Sequence, residues 1–437
     1  MNKRIKFFIS VLLIFAIFVS IFMIPASSYE TEVQTSTSDI FLVNLDTDTV
    51  VYSKNPYTNW YAGGLAELMT YLIAYETITS PETVTFEVEQ SYIDSLPYSD
   101  GCLDRFVGQM LTAKDLMAIM LLTSGSDAAY ALADLSTNND RDAFVGLMND
   151  RVGILGLTST AYVSPGFDST SAQHTTCRDT YMLYMEIKKN DFYNEVMSAK
   201  LYVPAGLDPN EFTVTAEPSI LNEDSPYYFR YTNDAKYSYT EETYEVLAMT
   251  TTYRGKTYFF CGLLGLHQSE QNVFADARKL TSWAYLHLSD RKMFSDEDVL
   301  SEVTVTPDWG AYQVGLHPEN AAFKTVPNEY DESQISYQFN IPKTTKTPLY
   351  AGQRIGSAKL YYGREEIDDI TLSVDSDEGL GMLSDFGRFS GYVFTQLTPN
   401  RAVLSTEPLV QTSTEFGSPE APAATNAAQP TESGTEG

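Results

Sequence analysis

The sequence predicts an α+β fold, an antiparallel sheet flanked by helices and followed by a smaller all-β domain. Three observations predict it. β-prone runs are folded back by turns near both ends of the first 290 or so residues, at 40–52 and 246–264. Between them, apolar residues recur at helical spacing. From about residue 295 that spacing gives way to short β-prone segments. A chain of 437 residues exceeds one ordinary domain. Its 43% hydrophobic and 13% aromatic content supplies cores for both units and excludes a wholly disordered chain.

In order, Ile40-Phe-Leu-Val-Asn-Leu45 reads as a strand, Asp46–Thr49 as a turn and Val50-Val-Tyr52 as the return strand. Leu65, Leu68, Met69 and Leu72 mark one face of a helix. Thr112-Ala-Lys-Asp115 has the form of a helix N-cap with an acidic residue at N3, opening an apolar helix to Leu122. A second helical run covers Asp127 to Leu135. Val246–Thr252 and Tyr258–Leu264 form a hairpin about Arg254-Gly-Lys256, and Val273, Ala277, Leu280, Ala284 and Leu288 mark a closing helix. In the β domain the clearest strands are Val303–Val305, Ile335–Phe339, Ile355–Leu360 and Ile370–Val374.

The ends carry their own signals. Lys3, Arg4 and Lys6 precede an apolar run from Phe7 to Ile24, Pro25 and the small residues Ala26-Ser-Ser28: a secretory signal over 1–28, with an uncleaved anchor as the alternative. Either way the rest of the chain is expected outside the cytoplasm, and the shortage of cysteine suits a bacterial envelope. Met382, Phe386, Phe389, Val393 and Leu397 share one helical face within 377–408, expected to pack on the β domain or to touch a membrane peripherally. The acidic tail 409–437 is expected to be disordered.

Charge and cysteine usage exclude whole classes of function. With 28 basic against 58 acidic residues the net charge is −30, and losing the three basic and no acidic residues of 1–28 takes it to −33. Such a chain is a poor binder of phosphate backbones, so no nucleic-acid partner is expected. Cys102, Cys177 and Cys261 are widely spaced, fit neither a disulfide framework nor a CxxC metal site, and read as small core residues. With only four histidines, no metal and no cofactor are expected.

Several segments, in order, resemble the D-alanyl-D-alanine carboxypeptidases, the low-molecular-weight penicillin-binding proteins. Ala62-Gly-Gly-Leu-Ala-Glu-Leu-Met-Thr70 is similar to that family's P-A-S-L-T-K-L-M-T, and Leu121-Leu-Thr-Ser-Gly-Ser-Asp-Ala-Ala129 to its L-[LV]-x-S-[AG]-N-D-A-A. Phe144–Asn149, Leu155–Thr158, Ser164–Gly166 and His174–Asp179 also match family landmarks. Lys236-Tyr-Ser-Tyr-Thr240 stands where K-T-G-x-T is expected, and Tyr350–Gly356 resembles a turn of the C-terminal domain. The resemblance implies a β-lactamase/transpeptidase-like domain over 38–292 and a β-rich C-terminal domain over 296–376. It also implies action in the peptidoglycan system, with stem peptides or cell-wall synthesis proteins as partners.

The departures fall on the chemistry. The family's S-x-x-K serine attacks the peptide carbonyl, and the lysine one turn later takes its proton. Here those positions are Gly64 and Glu67, and no serine occurs between Ser53 and Ser80. In the second motif Ser124 remains while Ser126 replaces an asparagine; in the third, Lys236 remains while Tyr237 and Ser238 replace threonine and glycine, and are expected to crowd the edge where substrate would align. Losing a serine nucleophile costs on the order of a millionfold in rate, and losing its base as well adds little. Backbone N–H groups near Gly64 would still bind a carbonyl. Exchanging a lysine for Glu67 shifts the local charge by −2, and Glu67 and Lys236 are expected to pair across the groove. Ser124 is expected to serve as a helix-end hydroxyl, and Lys236, Tyr237, Ser238 and Ser124 as groove-lining residues. The expected function is that of a peptidoglycan-binding or scaffolding pseudoenzyme; the alternatives are an active serine-type carboxypeptidase with an unusual nucleophile, or a surface protein working through its β domain and tail.

Overall fold

The structure, a computed structural model, describes residues 29, 31–168, 170–240, 244–265, 272–306 and 310–378. The expected signal segment, the apolar face at 382–397 and the acidic tail lie outside the described residues.

The first domain is built on a five-stranded antiparallel sheet. Its strands are β1 (Asp39–Asn44), β2 (Thr49–Lys54), β3 (Thr232–Thr240), β4 (Tyr244–Tyr253) and β5 (Lys256–Gly265), in the spatial order β2-β1-β5-β4-β3. The β4–β5 hairpin turns at Arg254 and Gly255, both at positive φ (52° and 78°), as a two-residue hairpin turn requires. Strand β1 is buried along its whole length, which explains its unbroken apolar run. Phe41 and Val43 face one layer of helices while Ile40 and Leu42 face the other side.

Most helices lie on the Phe41 side. They include α1 (Ala66–Thr77), α2 (Ala113–Thr123), α3 (Ser126–Thr137), α4 (Arg141–Leu155), α5 (Cys177–Ile187) and α6 (Asp191–Ala199). The expected cap of α2 is present in full: Thr112 Oγ1 accepts from the Asp115 N–H (3.1 Å) and Asp115 Oδ2 from the Thr112 N–H (2.8 Å). The opposite face is covered by α7 (Asn272–His287), whose Val273, Ala277, Leu280 and Ala284 are buried. That helix is one residue shorter than its apolar pattern suggests, because Leu288 opens the next strand.

The second domain is all-β. It comprises β6 (Leu288–Phe294), β7 (Ser301–Val305), β8 (Tyr312–Pro318), β9 (Ala322–Pro327), β10 (Ile335–Asn340), β11 (Thr344–Thr345), β12 (Arg354–Tyr362) and β13 (Glu365–Ser373). Six of these form one sheet in the order β10-β12-β13-β8-β7-β11, and β6 pairs with β9. A knot of short polar side chains ties it to the first domain. Thr325 Oγ1 lies 2.6 Å from Thr47 Oγ1 and accepts from Asn44 Nδ2 at 2.7 Å, while the Thr325 N–H donates to Thr49 Oγ1 at 3.2 Å.

Sheet and helices are also joined by a buried carboxylate, Asp234 on β3. It accepts from the Tyr184 hydroxyl of α5, from Thr250 Oγ1 (2.7 Å) and from Lys188 Nζ (3.2 Å). Burial pushes its carboxyl up to about 7, against the lowering effect of the Thr250 hydrogen bonds. Between the ordinary carboxylate range and about 7 the folded chain therefore holds a proton that the unfolded chain releases. Stability should fall as pH rises through that window. In urea unfolding between pH 5 and pH 8 (roughly the window of such a linkage), Asp234→Asn should show a shallower fall than the natural chain; parallel pH profiles would contradict this assignment.

Candidate functional site

The register of the sheet decides what enters the groove. Lys236 stands opposite Ala248, which is opposite Cys261, which is opposite Phe41, so all four side chains share the helix-facing side. Ser238, opposite Val246, points the same way. Tyr237 points to the other side, opposite Leu247, and its ring packs on Phe274 of α7 with centroids 4.6 Å apart. The two residues expected to crowd the groove therefore act on different faces: Ser238 stands inside, and Tyr237 flanks the outer wall. Because β3 is an edge strand, the groove runs along its free side, against the 3-10 turn Gly63–Leu65 that leads into α1.

At the centre, Glu67 Oε2 of α1 meets Lys236 Nζ at 2.6 Å, with both side chains 1% exposed. Glu67 Oε1 accepts from Ser126 Oγ (3.1 Å), which in turn accepts from the Phe167 N–H (3.0 Å). Lys236 Nζ donates to the Met120 carbonyl at 2.7 Å. Burial pushes the Glu67 carboxyl up to about 7; Lys236 opposes that shift and Asp100 adds to it. Two desolvated charges are tolerated only because each finds the other and a further hydrogen bond.

Gly64 is buried. A Cβ at this position would come within 3.0 Å of Ser238 Cβ, 3.2 Å of Ser238 Oγ and 3.7 Å of Ser124 Cβ. The side chain of Ser238 thus occupies the space a residue at 64 would need. Ser124 sits at the left-handed C-cap of α2 (φ 53°), and its Oγ donates across to the Tyr237 carbonyl of β3 at 2.8 Å, so the hydroxyl joins helix to strand. His174 lies apart from the groove in a short strand pairing with Tyr61, its Nδ1 3.2 Å from the Ser171 carbonyl. Cys177 and Cys261 are buried, while Cys102 is only half-buried beside Gly125.

Two further acids border the groove that sequence reasoning did not single out, Asp100 and Glu217. Asp100 Oδ2 caps α3 by accepting from the Ser126 N–H at 2.5 Å, and the Asp100 N–H donates to Asp127 Oδ1 at 3.2 Å. Asp100, Cys102 and Asp127 bring oxygen and sulfur atoms within 4.8 Å of one another, but Asp127 also accepts from the Leu103 N–H, and the group serves as a backbone clamp. Glu217 is exposed on a loop; partial burial and the nearby Asp100 push its carboxyl up to about 6, against Lys236. The only signal for either residue was its acidity within a loop, because their approach to α1 is tertiary.

The groove opens as a cavity of about 430 Å³ lined by Gly64, Glu67, Ser124, Ser126 and Ser238 together with aromatic rings. A larger cavity, about 760 Å³, lies between Tyr29, Thr31, Glu32 and Val33 and the end of α7, and shares none of these lining residues. Among the described residues no helix is long and apolar enough to cross a membrane.

Known proteins share the fold that carries this groove. The family model described as D-alanyl-D-alanine carboxypeptidase matches residues 26–259, and that of the penicillin-binding protein 5 C-terminal domain matches 289–379. The chain is 28% identical to a D-alanyl-D-alanine carboxypeptidase of Streptomyces sp. (strain K15) over 42% of its own length, spanning 63% of that relative. It is 19% identical to the D-alanyl-D-alanine carboxypeptidase DacF of Bacillus subtilis over 77% of its length and 84% of the relative. Penicillin-binding protein 5 of Haemophilus influenzae has the same fold, with a TM-score of 0.63 at 20% identity over 80% of this chain and 99% of that one.

Two outcomes test this geometry. Glu67→Gln and Lys236→Met should each cost about 3–5 kcal/mol, since each strands a buried charge. The reversed pair, Glu67→Lys with Lys236→Glu, should lose clearly less than its two single changes summed; additive losses in urea unfolding would show that the charges do not act together. Gly64→Ser should destabilise by about 1–3 kcal/mol through overpacking. Adding Ser238→Gly should recover most of that loss, and a melting temperature unchanged by the second substitution would contradict the steric account.

Proposed function

Because the chain belongs to the D-alanyl-D-alanine carboxypeptidase family, we propose that it is an exported protein of the cell-wall system that retains the family's groove without its acyl chemistry. It then acts as a peptidoglycan-binding or scaffolding pseudoenzyme. The observation that carries this reading is the Glu67–Lys236 pair beside Gly64: the nucleophile's position has no hydroxyl, and the groove's lysine is held by a carboxylate at 2.6 Å. Such a lysine accepts no proton from a neighbour while it stays charged.

The hydroxyls around the cavity support the same reading. Ser124 is bonded to the Tyr237 carbonyl and Ser126 to Glu67, while Thr70 of α1 donates to the Pro165 carbonyl at 2.5 Å. Ser238 also borders the cavity, and the ammonium on its strand, Lys236, is committed to Glu67 and to Met120. Family membership supports a peptidoglycan peptide as the kind of ligand, and the secretory pattern of residues 1–28 supports export.

Intact-mass analysis of the purified full chain after incubation with a penicillin tests the proposal. No adduct is expected on the natural protein. The variant carrying Gly64→Ser, Glu67→Lys and Ser238→Gly together supplies a hydroxyl with space at position 64 and a base one turn later, and should gain an adduct of one penicillin. An adduct on the natural chain would overturn the proposal, and its peptide map would name the nucleophile, with Ser238 the first position to inspect.

A further inference from the structure

The side chains lining the groove carry an unbalanced charge. Among the described residues, Glu67, Asp100 and Glu217 are its carboxylates, and no arginine or lysine lines it. Lys236 lies behind Glu67 and pairs with it; its charge also reaches Glu217, and backbone N–H groups bond Asp100, but Asp100 and Glu217 have no cation of their own among the described residues, so the lining keeps an excess of negative charge. They are close enough for the charge of Asp100 to raise the Glu217 carboxyl. An anion entering here meets two like charges, and a cation meets two opposite ones.

The walls are aromatic. Tyr98 and Phe167 pack with centroids 4.6 Å apart on one side. On the other, Tyr237 packs against Phe274 at 4.6 Å and against Tyr239 at 5.8 Å. Tyr98 and Tyr239 are 39% and 45% exposed, so their rings are available to a ligand. Ring faces attract cations and shelter alkyl chains, and a carboxylate set among rings is the arrangement that recognises organic ammonium groups. The cavity, about 430 Å³, has room for such a group with its alkyl stem.

We infer that this groove binds an alkylammonium group, drawn by Asp100 and Glu217 and flanked by the Tyr98–Phe167 and Tyr237–Tyr239 rings. The inference rests on the proposed loss of acyl chemistry and names the ligand class of the same groove. The amine is either carried on a peptide side chain or free, and the two sources share this chemistry.

Calorimetric titration of the full chain tests it with three probes: Nα-acetyl-lysine methylamide (peptide-borne ammonium), n-butylammonium (free ammonium) and acetyl-D-alanyl-D-alanine (carboxylate without ammonium). Both ammonium probes should bind, compete with each other and weaken with added salt, and the tighter of the two names the source. Glu217→Gln should weaken them by about fivefold and the double change with Asp100→Asn by about twentyfold. Glu217 joins the fold through its backbone N–H, which bonds the Leu122 carbonyl, so Glu217→Gln keeps the test open if the double variant fails to fold. No ammonium binding, affinity unchanged in Glu217→Gln, or tighter binding of acetyl-D-alanyl-D-alanine would overturn the inference. Absence of ammonium binding together with absence of a penicillin adduct would overturn this inference alone, whereas an adduct would overturn the reading beneath it.

Discussion

The arrangement of the groove depends on one buried ion pair. Glu67 on the first turn of α1 and Lys236 on the edge strand β3 are both inaccessible to water and meet at 2.6 Å. Among the described residues neither charge has another ion-pair partner, and each uses its remaining capacity on a neighbour: Glu67 on Ser126, Lys236 on the Met120 carbonyl. Four segments are thereby drawn to one point: α1, the end of α2, the start of α3 and β3. Replacing such a pair by apolar residues is often neutral in stability, so its effect is best understood as fixing which parts meet.

Around that neutral centre the groove has a distinct electrostatic character. Asp100 is held in place because it caps α3, and Glu217 because its backbone joins the end of α2. Both are anchored for reasons of fold while their carboxylates face the cavity. The family's fold is kept across both domains, with a TM-score of 0.63 to a penicillin-binding protein 5 at only 20% identity. At that identity most side chains differ, and the ones that give this groove its character are Gly64, Glu67, Ser238, Asp100 and Glu217. The proposed scaffolding role and the inferred ammonium preference both follow from those side chains.

Much of the fold was legible because its signals are local. The continuous run at residues 40–43 is apolar because both faces of β1 are covered, and the Thr112–Asp115 capping box forms within one turn. The ion pair was legible because two motif positions with opposite charges had to converge. Strands β8 and β9 were missed: Gly315 and His317 interrupt the first, and buried Lys324 and Thr325 hide the second, because their partners Asp368, Asp290, Asn44, Thr47 and Thr49 are distant in sequence. The opposite orientations of Tyr237 and Ser238 follow from register, which the sequence of one edge strand does not state. Asp100 and Glu217 reach the groove from loops, where no periodicity reports a destination.

The fit between Gly64 and Ser238 has a historical consequence. A side chain returned to position 64 collides with one that has taken its space, and a lysine returned to position 67 would set two ammonium groups face to face. Either change made alone thus passes through a less stable protein, whereas a side chain at position 64 is accommodated once Ser238 has become glycine. The cost of a change at position 64 or 67 therefore depends on what already stands at 238 and 236, so the order of substitutions matters as well as their number. Descendants of this chain should diversify the rim of the groove far more readily than they restore its centre.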